Sequence, residues 1–194
     1  LDVIGVDRAH FYGVRTGAMI ATELAIRHES RVETVILDEL LATGGSETTG
    51  AIGEPCPPID SYGSQFLWAW HVMRDHAIWY PWWHRRGSNR IKMDLPSAKT
   101  LHDSCVELLK AIETFHLSYN AAMRWPRRDR MPLINVPTMI PHEPTHEAFP
   151  DVLPTAQMIE GAELVDLPAG DISQESKAYI IRRWLQSREA SPTK

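Results

Sequence analysis

Ala9-His-Phe-Tyr-Gly-Val-Arg-Thr-Gly-Ala-Met-Ile20, followed by Val32-Glu-Thr-Val-Ile-Leu-Asp38, decides the fold. Ala9–Tyr12 reads as a short strand, and Gly13-Val-Arg-Thr-Gly17 as a glycine-bracketed turn. Ala18 to His28 is helical, with Ile20, Leu24 and Ala25 on one face. Val32–Asp38 is a second strand, rich in β-branched residues. Strand, tight turn, helix and strand at this spacing form a βαβ unit. Its strands should therefore be parallel and joined by a right-handed crossover.

Beyond Asp38 the pattern changes. Residues 42–63 are rich in Gly, Pro, Ser and Thr and read as a long excursion without regular structure. Helical spacing starts at Ser64, with Phe66, Trp70 and Met73 in register, and Pro81 ends it. A second helix follows Pro96-Ser97, with Leu101, Cys105, Leu108 and Leu109 inward. A third runs from about Thr114 to Met123. Residues 42–128 show no strand pattern, so they read as a helical cap inserted into an α/β core formed by 1–41 and 129–194. The core resumes with strand-like Val136-Pro-Thr-Met-Ile140 and a helix over 153–159. Strand-like Glu163–Leu167 and a closing helix over 173–187 complete it. The fold class is α/β, with a parallel sheet and a helical cap.

Composition narrows the function classes. The chain has 194 residues, 20 Lys and Arg, 25 Asp and Glu, and a formal net charge of −5. That mild acidity lacks the basic stripe of a nucleic-acid binder. The sequence has no apolar run near the roughly 18 residues that a membrane span needs. Cys56 and Cys105 make no disulfide framework, which fits a reducing cytoplasm. Five of the seven Trp (Trp68, Trp70, Trp79, Trp82 and Trp83) fall close together in the cap.

These segments resemble an α/β-hydrolase from its nucleophile elbow onward. Asp7-Arg-Ala-His-Phe-Tyr-Gly-Val-Arg-Thr-Gly-Ala18 is similar to the family's strand, elbow and following helix, and Val35-Ile-Leu-Asp38 to its next strand. Trp70-His-Val-Met-Arg-Asp75, Trp79-Tyr-Pro-Trp82, Leu101-His-Asp103 and Thr114-Phe-His-Leu-Ser-Tyr119 resemble cap helices of a bacterial branch. Val136-Pro-Thr138 and Leu164-Val-Asp-Leu-Pro168 resemble the last two strands. The family elbow is Gly-x-Ser-x-Gly. Here Arg15 takes the serine's place, and a guanidinium stays protonated and cannot attack a carbonyl. The backbone N–H of Thr16 matches one oxyanion-hole donor of the family. His146 falls near the family's acid slot, beside Glu143 and Glu147, and Asp171 follows Gly170 where the family has its histidine. Asp38 matches the acid of members that carry it after the earlier strand.

The resemblance implies a hydrolase-like enzyme for a small ester-like or carboxylate-bearing compound, with no cofactor. Arg15 and Thr16 would hold an oxyanion or anion. Asp38 or His146 would activate water, with Asp171 as a further catalytic candidate. Trp70, His71, Trp79, Trp82 and His116 would line the substrate pocket under the cap. His142-Glu-Pro-Thr-His146 fits the zincin pattern, but Pro144 breaks the helix that pattern requires, so no metal is expected. Asp171 also suits a helix N-cap, with Gln174 three residues on. The alternatives are an inactive binding protein for an anionic small molecule, or a chain assembling through an exposed sheet edge. The family's earlier strands precede Leu1, so the strand starting at Ala9 should be an edge. An uncovered edge invites pairing, and a two-fold homodimer is the expected closure.

Overall fold

The computed structural model describes residues 1–40, 56–79, 82–91, 94–143, 152–168 and 174–189. In chain order its elements are β1 (Ala9–Val14), α1 (Thr16–Arg27), β2 (Val32–Asp38), α2 (Ser64–His76), α3 (Ala98–Lys110), α4 (Phe115–Arg124), α5 (Arg127–Arg130), β3 (Thr138–His142), α6 (Val152–Gln157), β4 (Glu163–Asp166) and α7 (Gln174–Glu189). They divide into two compact units: Leu1–Ala42 with Arg128–Lys194, and Thr43–Arg127.

The first unit is built on a sheet of order β1-β2-β3-β4 with every neighbouring pair parallel. Tyr12 stands beside Ile36, Val35 beside Thr138, and His142 beside Asp166. β2 is buried along its length except at Glu33. Burial on both faces explains why its sequence is a continuous apolar run rather than an alternation. α1 packs on β1 and β2, and α6 on β3 and β4. From α7, Trp184 is buried against Ile36 and Met139, with Ile180, Ile181 and Leu185 packed around them. The Trp184 indole N–H donates to Glu163 at the start of β4 (2.8 Å), and Arg188 pairs with the same carboxylate.

The buried stripe of α1 differs from the expected one. Ala18, Ala21, Thr22 and Ala25 face the sheet, and Ile20 is 65% exposed. At 100° per residue, positions 18, 21, 22 and 25 form one stripe and position 20 lies half a turn away. Small side chains win this face because the helix must come close. A Cβ on Gly13 would lie 2.3 Å from the carbonyl oxygen of Gly17. The Thr22 hydroxyl donates back to the Ala18 carbonyl (2.9 Å), so no polar group is stranded beneath the helix.

The second unit is helical in its described residues. α2 packs against α3. Its core joins Ala69, Val72, Trp82, Cys105 and Leu108, with Trp68, Met73, Trp83, Leu109 and Phe115 against it. Here too the small residues win the inner stripe. Phe66, expected inward, is 60% exposed, and Trp70 is exposed as well. Asp75 is fully buried, with Arg74 (2.7 Å) and Arg85 (2.8 Å) neutralising it. Ser97 caps α3 by accepting from the Thr100 N–H (3.1 Å).

Candidate active site at the carboxyl end of the sheet

β1 runs into α1 with only Arg15 between them. Arg15 holds φ 52° and ψ −115°, a left-handed conformation that costs a residue with a side chain about 1–3 kcal/mol. Three bonds fix this bend to the end of β2. The Arg15 N–H donates to the Asp38 carbonyl (3.0 Å), the Arg15 guanidinium donates from Nε to Glu39 (2.5 Å), and the Tyr12 hydroxyl donates to Asp38 Oδ2 (2.5 Å). Glu39 also has positive φ, 52°. The first two strands thus end in matched bends whose side chains pair with each other. Thr16 opens α1, so its backbone N–H belongs to the set a helix cannot pair internally. The positive end of the helix favours an anion there, and the Arg15 guanidinium beside it is paired with the Glu39 carboxylate.

Asp38 is 3% exposed, and the Lys177 ammonium of α7 donates to its Oδ2 (2.7 Å). One carboxylate oxygen therefore receives a phenol and an ammonium. Burial, and then the bond to Asp38, push the Tyr12 phenol above its ordinary value, so it remains a donor. Asp38, Glu39, Pro141, Glu143, Val152, Leu167 and Lys177 line a small cavity of about 40 Å³.

At the ends of β3 and β4, His142 Nδ1 lies 2.8 Å from Asp166 Oδ1. His146, Glu147 and Asp171 lie outside the described residues, as do Pro81, Pro144 and the N-cap reading of Asp171. His142 ends a strand, so the zincin reading has no helix at its first residue. Among the described residues, no three His, Cys, Asp or Glu side chains gather as a metal site requires.

The aromatic candidates all belong to the helical unit. Trp82 is buried in its core, edge-on to Trp68 (6.5 Å) and Trp83 (5.6 Å). Trp79 bridges to Arg90, His71 is half-buried on α2, and Trp70 is exposed. His116 lies edge-on to Phe115, and its buried Nδ1 has no hydrogen-bond partner. Cys56 and Cys105 are free thiols pushed up by burial, so neither is a ready thiolate.

Tyr12, Lys177 and the His142–Asp166 pair are the site residues that sequence reasoning missed. Tyr12 and Asp38 lie 26 positions apart, and Lys177 and Asp38 lie 139 apart. No spacing rule connects them. The one signal was register: parallel strands of equal reach place their last polar residues side by side.

No protein-family model and no curated protein matches the sequence. Solved structures do. A hydrolase from Pseudomonas aeruginosa PA01 superposes with a TM-score of 0.63 at 21% identity, over 96% of this chain and 66% of that one. The enol-lactonase from Burkholderia xenovorans LB400 gives 0.56 at 21%, over 96% and 67%. The bromoperoxidase from Bacillus anthracis gives 0.60 at 14%, over 96% and 68%. The chain thus spans about two-thirds of the length of the structures it matches. Among the described residues, no helix is long and apolar enough to cross a membrane.

Proposed function

The chain has the α/β-hydrolase fold, and from that premise we propose that it is a hydrolase-like enzyme for a small ester-like or carboxylate-bearing compound. The observation that carries this reading is the bend at Arg15. Its φ of 52° and ψ of −115° keep a strained elbow between a strand and a twelve-residue helix. A chain with no use for that strain gains stability by losing it. With a guanidinium at the tip, the side chain binds rather than attacks. Arg15 and the Thr16 N–H hold a substrate carboxylate or the oxyanion that develops from an ester carbonyl. Water is then the nucleophile.

The base for that water is better supplied by His142 than by Asp38. Asp38 Oδ2 already accepts from Tyr12 and Lys177, which makes this carboxylate an anchor for the elbow. His142 is oriented by Asp166 through Nδ1, the arrangement that leaves Nε2 to take a proton.

A panel of p-nitrophenyl esters tests it. Wild type should turn over at least one short-chain ester. Arg15→Ala should lose about 10²-fold in kcat/KM with its circular dichroism unchanged. His142→Ala should lose the limb of the pH–rate profile that reports the base. Turnover that survives Arg15→Ala would move the site elsewhere. The second reading, a binding protein for an anionic small molecule, is favoured by the guanidinium at the nucleophile position. It requires no turnover, with a carboxylate-induced rise in Tm that Arg15→Ala abolishes.

A further inference from the structure

Arg15 and Glu39 stand side by side where β1 and β2 end. The Arg15 N–H is bonded to the carbonyl of Asp38 (3.0 Å), the residue before Glu39, so the backbone itself holds the two side chains together. The guanidinium donates from Nε to Glu39 Oε2 (2.5 Å), and among the described residues that carboxylate has no other hydrogen-bond partner. The turn does not call for a glutamate. A φ of 52° suits glycine or asparagine better. What glutamate adds is a carboxylate on the guanidinium, at the place where a substrate anion would bind.

We propose that Glu39 is the resident ligand of this anion site: a substrate carboxylate binds by taking Glu39's place on Arg15, and Glu39 turns toward Lys177. The role rests on the anion site proposed above and gives it selectivity. The pair is open enough to break. Its side chains are 56% and 23% exposed, and an ion pair so wetted is weak. The displaced carboxylate has somewhere to go. Glu39 forms one wall of the 40 Å³ cavity, room for roughly two or three waters, and Lys177 forms another. An ammonium has three donors, and among the described residues that of Lys177 makes one bond, to Asp38 (2.7 Å). Charge is conserved across the exchange, because the guanidinium faces one carboxylate before it and one after. A neutral compound leaves the pair intact. An anion enters only if it holds the guanidinium better than a side chain already fixed beside it.

The test is a butyrate titration at low salt, followed by NMR at the Arg15 Nε–H and at the Glu39 carboxyl carbon, with circular dichroism confirming the fold of each variant. In wild type both signals should move with one Kd. Glu39→Gln should lower that Kd by about fivefold, the strength of an exposed pair. Glu39→Asp keeps the charge but is one methylene too short to hold Nε, and it should lower the Kd as well. An Arg15 signal that titrates while the Glu39 carbon stays still overturns the proposal, because the anion would then bind alongside Glu39. An unchanged Kd in both variants overturns it too. So does a gain in Glu39→Gln without one in Glu39→Asp, which would reflect the field of the charge alone. Each of these leaves the anion site at Arg15 standing. Butyrate binding that survives Arg15→Ala, or none in any variant, removes that site and this role with it.

Discussion

Gly13 and Gly17 bracket the elbow, look equivalent in sequence and should behave oppositely. A methyl on Gly13 meets Gly17 backbone at 2.3 and 2.5 Å, and neither atom belongs to a flexible side chain. Gly13→Ala should lower stability by about 3 kcal/mol or more, or prevent folding, measured by urea denaturation. Gly17 lies inside α1, and a methyl added there would have nothing within 4 Å. Gly17→Ala should raise stability by about 0.5–1 kcal/mol, because alanine costs less backbone entropy in a helix. Arg15→Gly should likewise raise Tm while removing anion binding, since its exposed pair with Glu39 contributes about 0–1 kcal/mol and the strained backbone costs more. Tyr12 gives the pH test. Its phenol is held protonated in the fold beyond its ordinary value of 10.0, so the unfolded chain releases that proton first. Its contribution is complete below about pH 10 and is lost as pH rises further. Tyr12→Phe should flatten the fall in stability above pH 10, with phenolate absorbance at 295 nm following the titration.

At the scale of elements, Trp184 is the side chain through which α7 is fastened to the sheet. It is buried against Ile36 and Met139, and its indole N–H is bonded to Glu163. Trp184→Ala should cost about 3–5 kcal/mol in chemical denaturation, and Trp184→Phe distinctly less, since the phenylalanine loses the hydrogen bond but fills most of the space. The elements themselves were legible in the sequence: Val32–Asp38 as a β-branched run, α3 by its Ser97 cap, and α7 by Ile180, Ile181, Trp184 and Leu185. Their faces were less so. Choosing the largest apolar residues put Ile20 and Phe66 inside. The structure buries Ala18, Ala21, Ala69 and Val72 instead, and Ala25 as expected. Size measures what burial would gain and says nothing of the room available, which Gly13 and its neighbours set. The site divides along the same line. Arg15 was legible because its bend lies within five consecutive residues. Lys177 looked like one charge on a solvated helix, and Asp166 like the polar alternate of a strand. The β3–β4 register brings Asp166 to His142, and the packing of α7 on the sheet brings Lys177 to Asp38.

At the scale of the whole molecule, each unit has a core of its own, one around Ile36, Met139 and Trp184 and the other around Ala69, Val72, Trp82, Cys105 and Leu108. Calorimetry should therefore resolve two transitions, with Trp184→Ala lowering one and Trp82→Ala the other. A single transition shifted equally by both substitutions would show one cooperative block. The connection between β2 and β3 has a consequence in time. β1, α1 and β2 are contiguous in the chain and meet through local contacts, but β2 reaches β3 across the insertion, pairing Val35 with Thr138 and Ile36 with Met139. Closing so long a loop through flexible chain is entropically costly and slow. During synthesis, β1, α1 and β2 emerge before the helical insertion, and the insertion before the ribosome has made β3. The nascent chain must therefore keep an apolar β2 out of aggregation with its neighbour β3 still unmade. An insertion that folds as it emerges shortens the effective loop, so destabilising the helical unit should slow completion of the sheet even where it leaves the finished sheet's stability untouched.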